Sequence, residues 1–466
     1  MADQYHFLEL TLENVRAFSD PQMFDFRSAD GRAARWCVIL GENGVGKTTA
    51  MQALAMMRPV PAFERGEDGQ VLQLKQVGSG LPDPDWTEPD VFDFENDQLI
   101  DLARHALGTV TSKMGVVLEG ADRSSITIGF ESCVENGSLI TARPVAQKHA
   151  LKGSGPLIIG YGASRHIGNR NLSAIADQRP TDGLFDDLVE LADIDEVLER
   201  LGHAELAAKA EGSEVELKRV KDFQASIETA LKAIIPDLEK VELNFGGARF
   251  PGISKSRSGV VFKTKNTGDL PLSNLSLGYR VTVSWIGDLA WRLFEQRPES
   301  RAPFQEHAIV VIDEVDLHLH PRWQRQIRHH LLEIFPNVQF IVTTHSPIIA
   351  QEAIVNADPV AVVRWDGPRA VVLNDPLPQR PWRYDEIVGS VVFGLGAGVD
   401  LRSSELLVER AMLLRKRNLS NEDRARLNTL NGLVHDIESG DVPFDAAFDK
   451  LMARVVELEK RLGEAG

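Results

Sequence analysis

Nine residues near the start of the chain, Gly41-Glu42-Asn43-Gly44-Val45-Gly46-Lys47-Thr48-Thr49, restrict its fold more than any other stretch. They match the spacing GxxxxGK[ST], which carries meaning only where a strand runs in and a helix runs out. Both flanks comply. Trp36-Cys37-Val38-Ile39-Leu40 is a short apolar run of strand type, and Ala50–Met57 reads as helix. Glycines at 41, 44 and 46 let the backbone curl until successive N–H groups face inward, toward phosphate oxygens. The first turn of the helix adds partial positive charge to the same cradle. Lys47 then reaches the β- and γ-phosphates of a nucleotide, and the Thr48 hydroxyl is a ligand for Mg²⁺.

Three further stretches carry chemistry. Ala308–Ile312 is continuously apolar, as expected of a strand covered on both faces, and it ends in Asp313-Glu314. A carboxylate there holds Mg²⁺, usually through water, and the next one is placed to orient or deprotonate an attacking water. Leu275-Ser276-Leu277-Gly278-Tyr279-Arg280 opens a helix, so Ser276 and Gly278 stand where free N–H groups favour an anion; an ordinary serine cap would look the same. Val342-Thr343-Thr344-His345-Ser346-Pro347 puts a histidine just past a buried strand, within reach of a γ-phosphate.

Around these pieces the chain reads as α/β. Phe7–Leu12 and Phe24–Phe26 pair through Glu13-Asn14-Val15-Arg16-Ala17-Phe18, and residues 59–155 form a β-rich insertion with loops. Leu157-Ile158-Ile159 is a brief buried strand. From Thr181 to Ile235 the pattern is helical, carried by Leu184, Leu188 and Leu191 and then by Phe223, Ile227 and Leu231, until Pro236 closes it. Val241–Phe245 and Val260–Thr264 are strands, Leu275–Phe294 and Pro321–Phe335 helices, and Phe340-Ile341-Val342 a strand. Val360–Arg364 and Ala370–Leu373 flank Asp366-Gly367-Pro368 as a hairpin. The expected division is an ATPase domain over 1–380, with a helical lobe at about 179–237, and a helical segment over 381–466.

Composition narrows the partners. A net charge of −17 excludes a surface that is basic all over, so DNA would meet only a local patch. Lys255, Arg257, Lys263 and Lys265 make one such patch and Arg415-Lys416-Arg417 another, unless both are solvated faces. Asp83–Asp101 holds eight acidic residues and no basic ones, either a solvated loop or a dock for a basic partner. Two cysteines, Cys37 and Cys133, supply neither a disulfide framework nor a zinc site. No run is long enough to span a membrane, Met1–Leu10 is too polar for a signal peptide, and the cytoplasm is the expected compartment.

Together GENGVGKTT, LSLGYR, VVIDEVDLHLHP and VTTHSP resemble the ABC-type ATPases of the RecF, SMC and OLD group. The likeness runs in order from Asn14-Val15-Arg16 to His345. It implies two ATPase heads, a homodimer or higher oligomer, sandwiching ATP and Mg²⁺. Ser276 and Gly278 would complete the site of the opposite head, Glu314 would be the catalytic base, His345 the γ-phosphate switch, and Arg16 would approach the nucleotide. The family's Mg-sensing glutamine has two candidates, Gln147 and Gln178, and His318 and His320 are either a family loop feature or a metal pair. Leu-Gly-Tyr at the signature argues against a transporter subunit. Lys47 and Asp313 are too close for a coiled-coil arm, no CxxC provides a zinc hook, and no Asp-x-Asp follows His345 to provide a TOPRIM nuclease. What remains resembles the compact ATPases paired with a separate effector, a nuclease or toxin, in bacterial anti-phage defence. Two readings are open: an ATPase that engages DNA and regulates the effector, or an ATP-bound scaffold that sequesters it and hydrolyses slowly.

Overall fold

In a computed structural model the chain falls into two compact units, Met1–Pro381 and Trp382–Gly466. The structure describes residues 4–57, 63–65, 71–74, 102, 109–135, 138–144, 156–167, 172, 178–235, 238–243, 260–265, 268–275, 277–297, 300, 302–376 and 426. All of these except residue 426 belong to the first unit. The helical expectation after Pro381 and the Arg415-Lys416-Arg417 patch lie outside the described residues.

In chain order the strands begin with β1 (His6–Glu13), β2 (Gln22–Asp25) and β3 (Trp36–Gly41), after which comes helix α1 (Lys47–Met56). Next are β4 (Phe63–Arg65), β5 (Val71–Leu74), β6 (Thr109–Glu119), β7 (Ser125–Glu135), β8 (Ser138–Pro144) and β9 (Ile158–Tyr161). Two long helices, α2 (Ile194–Glu211) and α3 (Glu214–Ile234), precede β10 (Leu238–Leu243), β11 (Val260–Thr264), β12 (Gly268–Leu270) and α4 (Leu277–Gln296). The last part holds β13 (Ala308–Ile312), α5 (Pro321–Gln324), α6 (Ile327–Ile334), β14 (Val338–Thr344), α7 (Pro347–Val355), β15 (Val360–Asp366) and β16 (Arg369–Asn374).

Two sheets enclose α1. A six-stranded sheet runs in the order β16-β15-β3-β14-β13-β9; it is parallel except for the β15–β16 hairpin. An antiparallel sheet runs β2-β1-β6-β7-β8. The described strands of 59–155 thus include three, β6 to β8, that extend the N-terminal pair rather than stand apart, because β1 offers its free edge to β6. Between the sheets one core gathers Phe7, Leu10, Phe18 and Phe24 with Ala50, Met51, Leu54 and Met56 and with Cys37, Ile39, Ile309, Val311, Ile341 and Val363. The alternate positions along β3 and β13 are what a pleated strand turns to one face. Of the ten residues of α1 only Thr48 is not buried, so after the polar first turn apolar residues lie on every side of the helix, with Gln52 the one polar exception. Gln339, fully buried on β14, ties the sheets by accepting from Phe7 N at 2.7 Å and donating to the carbonyls of Phe7 and Ala34 at 2.8 and 3.0 Å.

One periodicity misleads. Leu184, Leu188 and Leu191 do not share a helix: Asp182–Leu184 is a single 3₁₀ turn and the chain is irregular until Asp193 caps α2. Leu188 is 74% exposed. Asp186 accepts from Leu188 N at 2.8 Å, a local turn that competes with helix, and Leu191 N is drawn to His166 O at 2.9 Å. Phe223, Ile227 and Leu231 do lie on one buried face of α3. The helix expected over Pro321–Phe335 is broken into α5 and α6 at Arg325-Gln326. The strand expected at Val241–Phe245 starts earlier, at Leu238, and its Phe245 end lies outside the described residues. Among the described residues no helix is long and apolar enough to cross a membrane.

Candidate functional site

The site lies at the ends of β3, β13 and β14, neighbours around the middle of the parallel sheet. Beyond β3 the loop turns through Gly44 at φ +77° and Gly46 at φ +108°. A Cβ on Gly46 would stand 2.8 Å from the Phe18 ring, and one on Gly41 would stand 2.4 Å from Val363 O. Close packing as well as conformation therefore demands glycine there. Glu42, Asn43 and Gly44 are exposed, Val45 and Thr49 buried. Gly46 caps α1 without a side-chain bond, and no acidic residue occupies the first turn. The N–H groups of that turn are thus left to an anion.

Lys47 is 6% exposed and donates to the carbonyls of Gly41 and Glu42 at 2.9 and 2.8 Å. Burial lowers its pKa, opposed by Asp313, Glu314, Asp316 and Glu42. Across 265 residues of sequence the Thr48 hydroxyl donates to Asp313 Oδ2 at 2.6 Å. The other oxygen of Asp313 accepts from the Thr343 hydroxyl, and that hydroxyl accepts from Glu314 N at 2.7 Å. Thr344 holds Asp316 in the same way. Glu314 stands at φ +49°, so the residue after the buried aspartate leaves the strand direction at once. His345 is half-buried; burial, and Lys47 after it, lower its pKa against Asp316, Glu314 and Asp313. Its Nε2 is buried with no hydrogen-bond partner among the described residues.

The remaining expected residues that are described lie on several other elements. Arg16, at φ +42°, donates from Nη1 to Gln52 Oε1 at 2.9 Å, and Gln52 donates on to Leu184 O at 2.8 Å. Gly278, in the first turn of α4, is pressed against the loop after β13: a Cβ there would stand 2.6 Å from His318 O. Ser276 lies outside the described residues, as do Gln147, Lys255 and Arg257. Gln178 is half-buried, and its Oε1 is buried without a partner among the described residues. Lys263 and Lys265 stand at the end of β11. His320 caps α5, its Nδ1 accepting from Arg322 N at 3.3 Å.

Sequence reasoning gave no role to Thr343 or to Arg165, yet both touch the acidic cluster. Arg165 is 5% exposed, and its Nη2 donates to Glu314 O. The only available signal was position: each follows or ends a strand beside β13.

Two family models match the chain: "AAA domain, putative AbiEii toxin, Type IV TA system" over residues 162–350, and "AAA domain" over residues 9–57. Among individual proteins the chain is 36% identical over 126 residues to "Retron Vc95 probable ATPase" of Vibrio cholerae serotype O1 biovar El Tor, covering 27% of this chain and 23% of that one. It is 48% identical over 83 residues to "Retron Ec83 probable ATPase" of Escherichia coli, covering 18% and 15%. It is 25% identical over 385 residues to "Septu protein PtuA" of Bacillus mycoides (strain KBAB4), covering 80% and 42%. The chain thus spans less than half the length of each of these relatives. The SMC head domain from Thermotoga maritima, a solved structure, is similar at 15% identity with a TM-score of 0.41, over 79% of this chain and 98% of that one. The two matched models, both AAA domains, cover the stretches that hold the motifs: residues 9–57 the phosphate-binding loop, and residues 162–350 Gly278, Asp313-Glu314 and His345.

Proposed function

We propose that this protein is a Mg²⁺-dependent ATPase whose ATP-driven pairing of heads controls a separate effector, a nuclease or toxin, in anti-phage defence. The observation that carries the reading is the bond from Thr48 to Asp313, with Lys47, Glu314 and His345 at the same end of the parallel strands. A hydroxyl and a carboxylate side by side are the hard-oxygen donors that suit Mg²⁺, so Thr48 and Asp313 would hold it. Bound there, the ion would offset charge on the phosphoryl group being transferred. The chain's own groups do the rest. The amides of residues 41–49 and the start of α1 bind the phosphates, and Lys47 swings from two backbone carbonyls to the phosphate oxygens. Glu314 orients the attacking water and takes its proton. His345, with its pKa lowered and Nε2 unpaired, presents a neutral ring to the γ-phosphate. Arg16 reaches the nucleotide from its place beside α1, and Ser276 and Gly278 serve the site of the opposite head.

The relatives named as retron and Septu proteins support the defence setting. Residues 1–380 are the ATPase domain in this reading and 381–466 a separate helical segment. The test is phosphate release by the purified protein with ATP and Mg²⁺. Lys47→Ala should abolish turnover, and Glu314→Gln should bind ATP but reduce turnover at least 100-fold, about the loss typical of removing a general base. Unchanged turnover in Lys47→Ala would sink the assignment of this loop.

A further inference from the structure

Arg165 is a cation that the proposed chemistry does not yet use. It follows β9 on the edge of the sheet beside β13, and it is 5% exposed. Among the described residues it forms no ion pair with a carboxylate. Instead its Nη2 donates to the backbone carbonyl of Glu314, and its Nε is buried without an acceptor. Its charge persists: burial draws its pKa down to about 10, opposed by Asp313, Asp316 and Glu314, so it stays protonated at neutral pH.

The residue it grips is itself unusual. Glu314 sits at φ +49°, in the left-handed region that a residue other than glycine adopts only where its surroundings impose it. Its N–H is held at 2.7 Å by the hydroxyl of Thr343, which also donates to Asp313. Its carbonyl accepts from Leu317 N at 3.0 Å and from Arg165. The backbone is therefore fastened on both sides, by β14 through Thr343 and by the segment after β9 through Arg165.

We infer that Arg165 is a positioning residue, which with Thr343 clamps the main chain of Glu314 so that its carboxylate keeps the direction needed to orient the attacking water. This rests on the reading of Glu314 as the base. A guanidinium suits the task better than an ammonium, since its planar fork fixes the direction of the bond while its charge offsets repulsion among three neighbouring carboxylates.

Three readouts on the full chain test the clamp: binding of a fluorescent ATP analogue, phosphate release, and amide hydrogen exchange in peptides covering 313–317. Arg165→Met should raise exchange there and lower kcat at least tenfold, with analogue affinity within about twofold of wild type. Arg165→Lys, which retains the charge and a single shorter-reaching donor, should give an intermediate kcat. Wild-type exchange and kcat in Arg165→Met would overturn the proposal, and so would parallel loss of affinity and kcat with no rescue by lysine. If Arg165→Met does not fold, Arg165→Lys decides: reduced kcat at unchanged affinity supports the clamp, wild-type kcat overturns it. A wild type without turnover would defeat the functional reading above, and the exchange readout would still decide whether Arg165 holds Glu314.

Discussion

Gly46 is fixed by two demands at once, a left-handed φ of +108° and a Phe18 ring 2.8 Å from where a Cβ would be. Gly46→Ala should therefore cost about 2 kcal/mol or more and distort the loop that binds phosphate. Thermal melting with and without ATP measures both effects: a melting point several degrees lower, and a smaller upward shift on adding ATP than in wild type. A variant that melts and responds like wild type would show that Phe18 yields to the methyl group. At this scale the sequence was most legible where spacing encodes geometry. Lys47, Thr48, Asp313 and His345 each sit at a fixed distance from a glycine or at the end of an apolar run, and the structure brings Thr48 onto Asp313. Arg165 and Thr343 were silent for the opposite reason. Each is one polar residue at a strand end, and its value depends on which strand becomes its neighbour.

Among the elements, α4 is joined to β9 by a buried polar knot. Asp288 is fully buried, accepts from Tyr161 OH at 2.8 Å and Ala192 N at 2.9 Å, and pairs with Arg292 Nε at 2.7 Å. Burial and then Asp288 hold the Tyr161 phenol well above its ordinary pKa, so it stays a donor. Burial works against the charge on Arg292, but Asp288 and Tyr161 outweigh it and raise its pKa. Removing one partner leaves the other charge buried and alone, which costs about 3–5 kcal/mol. Asp288→Asn should lower unfolding stability in urea by about that much, and Asp288→Asn with Arg292→Met should recover part of it. Equal stability of Asp288→Asn and wild type would mean that the pair is replaceable by neutral hydrogen bonds. The helix expected over Leu275–Phe294 is α4, and Val281, Trp285, Leu289 and Leu293, four residues apart along it, are all buried. The shorter row Leu184, Leu188 and Leu191 does not share a helix, because glycine and aspartates at 182, 183, 186 and 187 favour turns over the helix its spacing suggests.

For the whole molecule, the proposed pairing of heads predicts a change of size. Glu314→Gln with ATP should scatter light as a larger species than it does without nucleotide, because a ligand gripped by two chains stabilises their association. Adding Ser276→Arg, which fills the opposing phosphate contact, should reverse this while ATP still binds; no effect on assembly or turnover would end the shared-site model. The order of the sheet has another outcome, which concerns how the protein is made. Strand β3 pairs with β14 and β15, and neither exists until about 300 residues after it has been synthesised. At roughly 5–20 residues per second, that interval lasts roughly 15–60 s. Throughout it an apolar strand waits with both edges open, the condition that invites mispairing with other nascent chains. The protein should therefore lean on chaperones during translation, and no ribosome-bound fragment ending before His345 can close the site and turn over ATP.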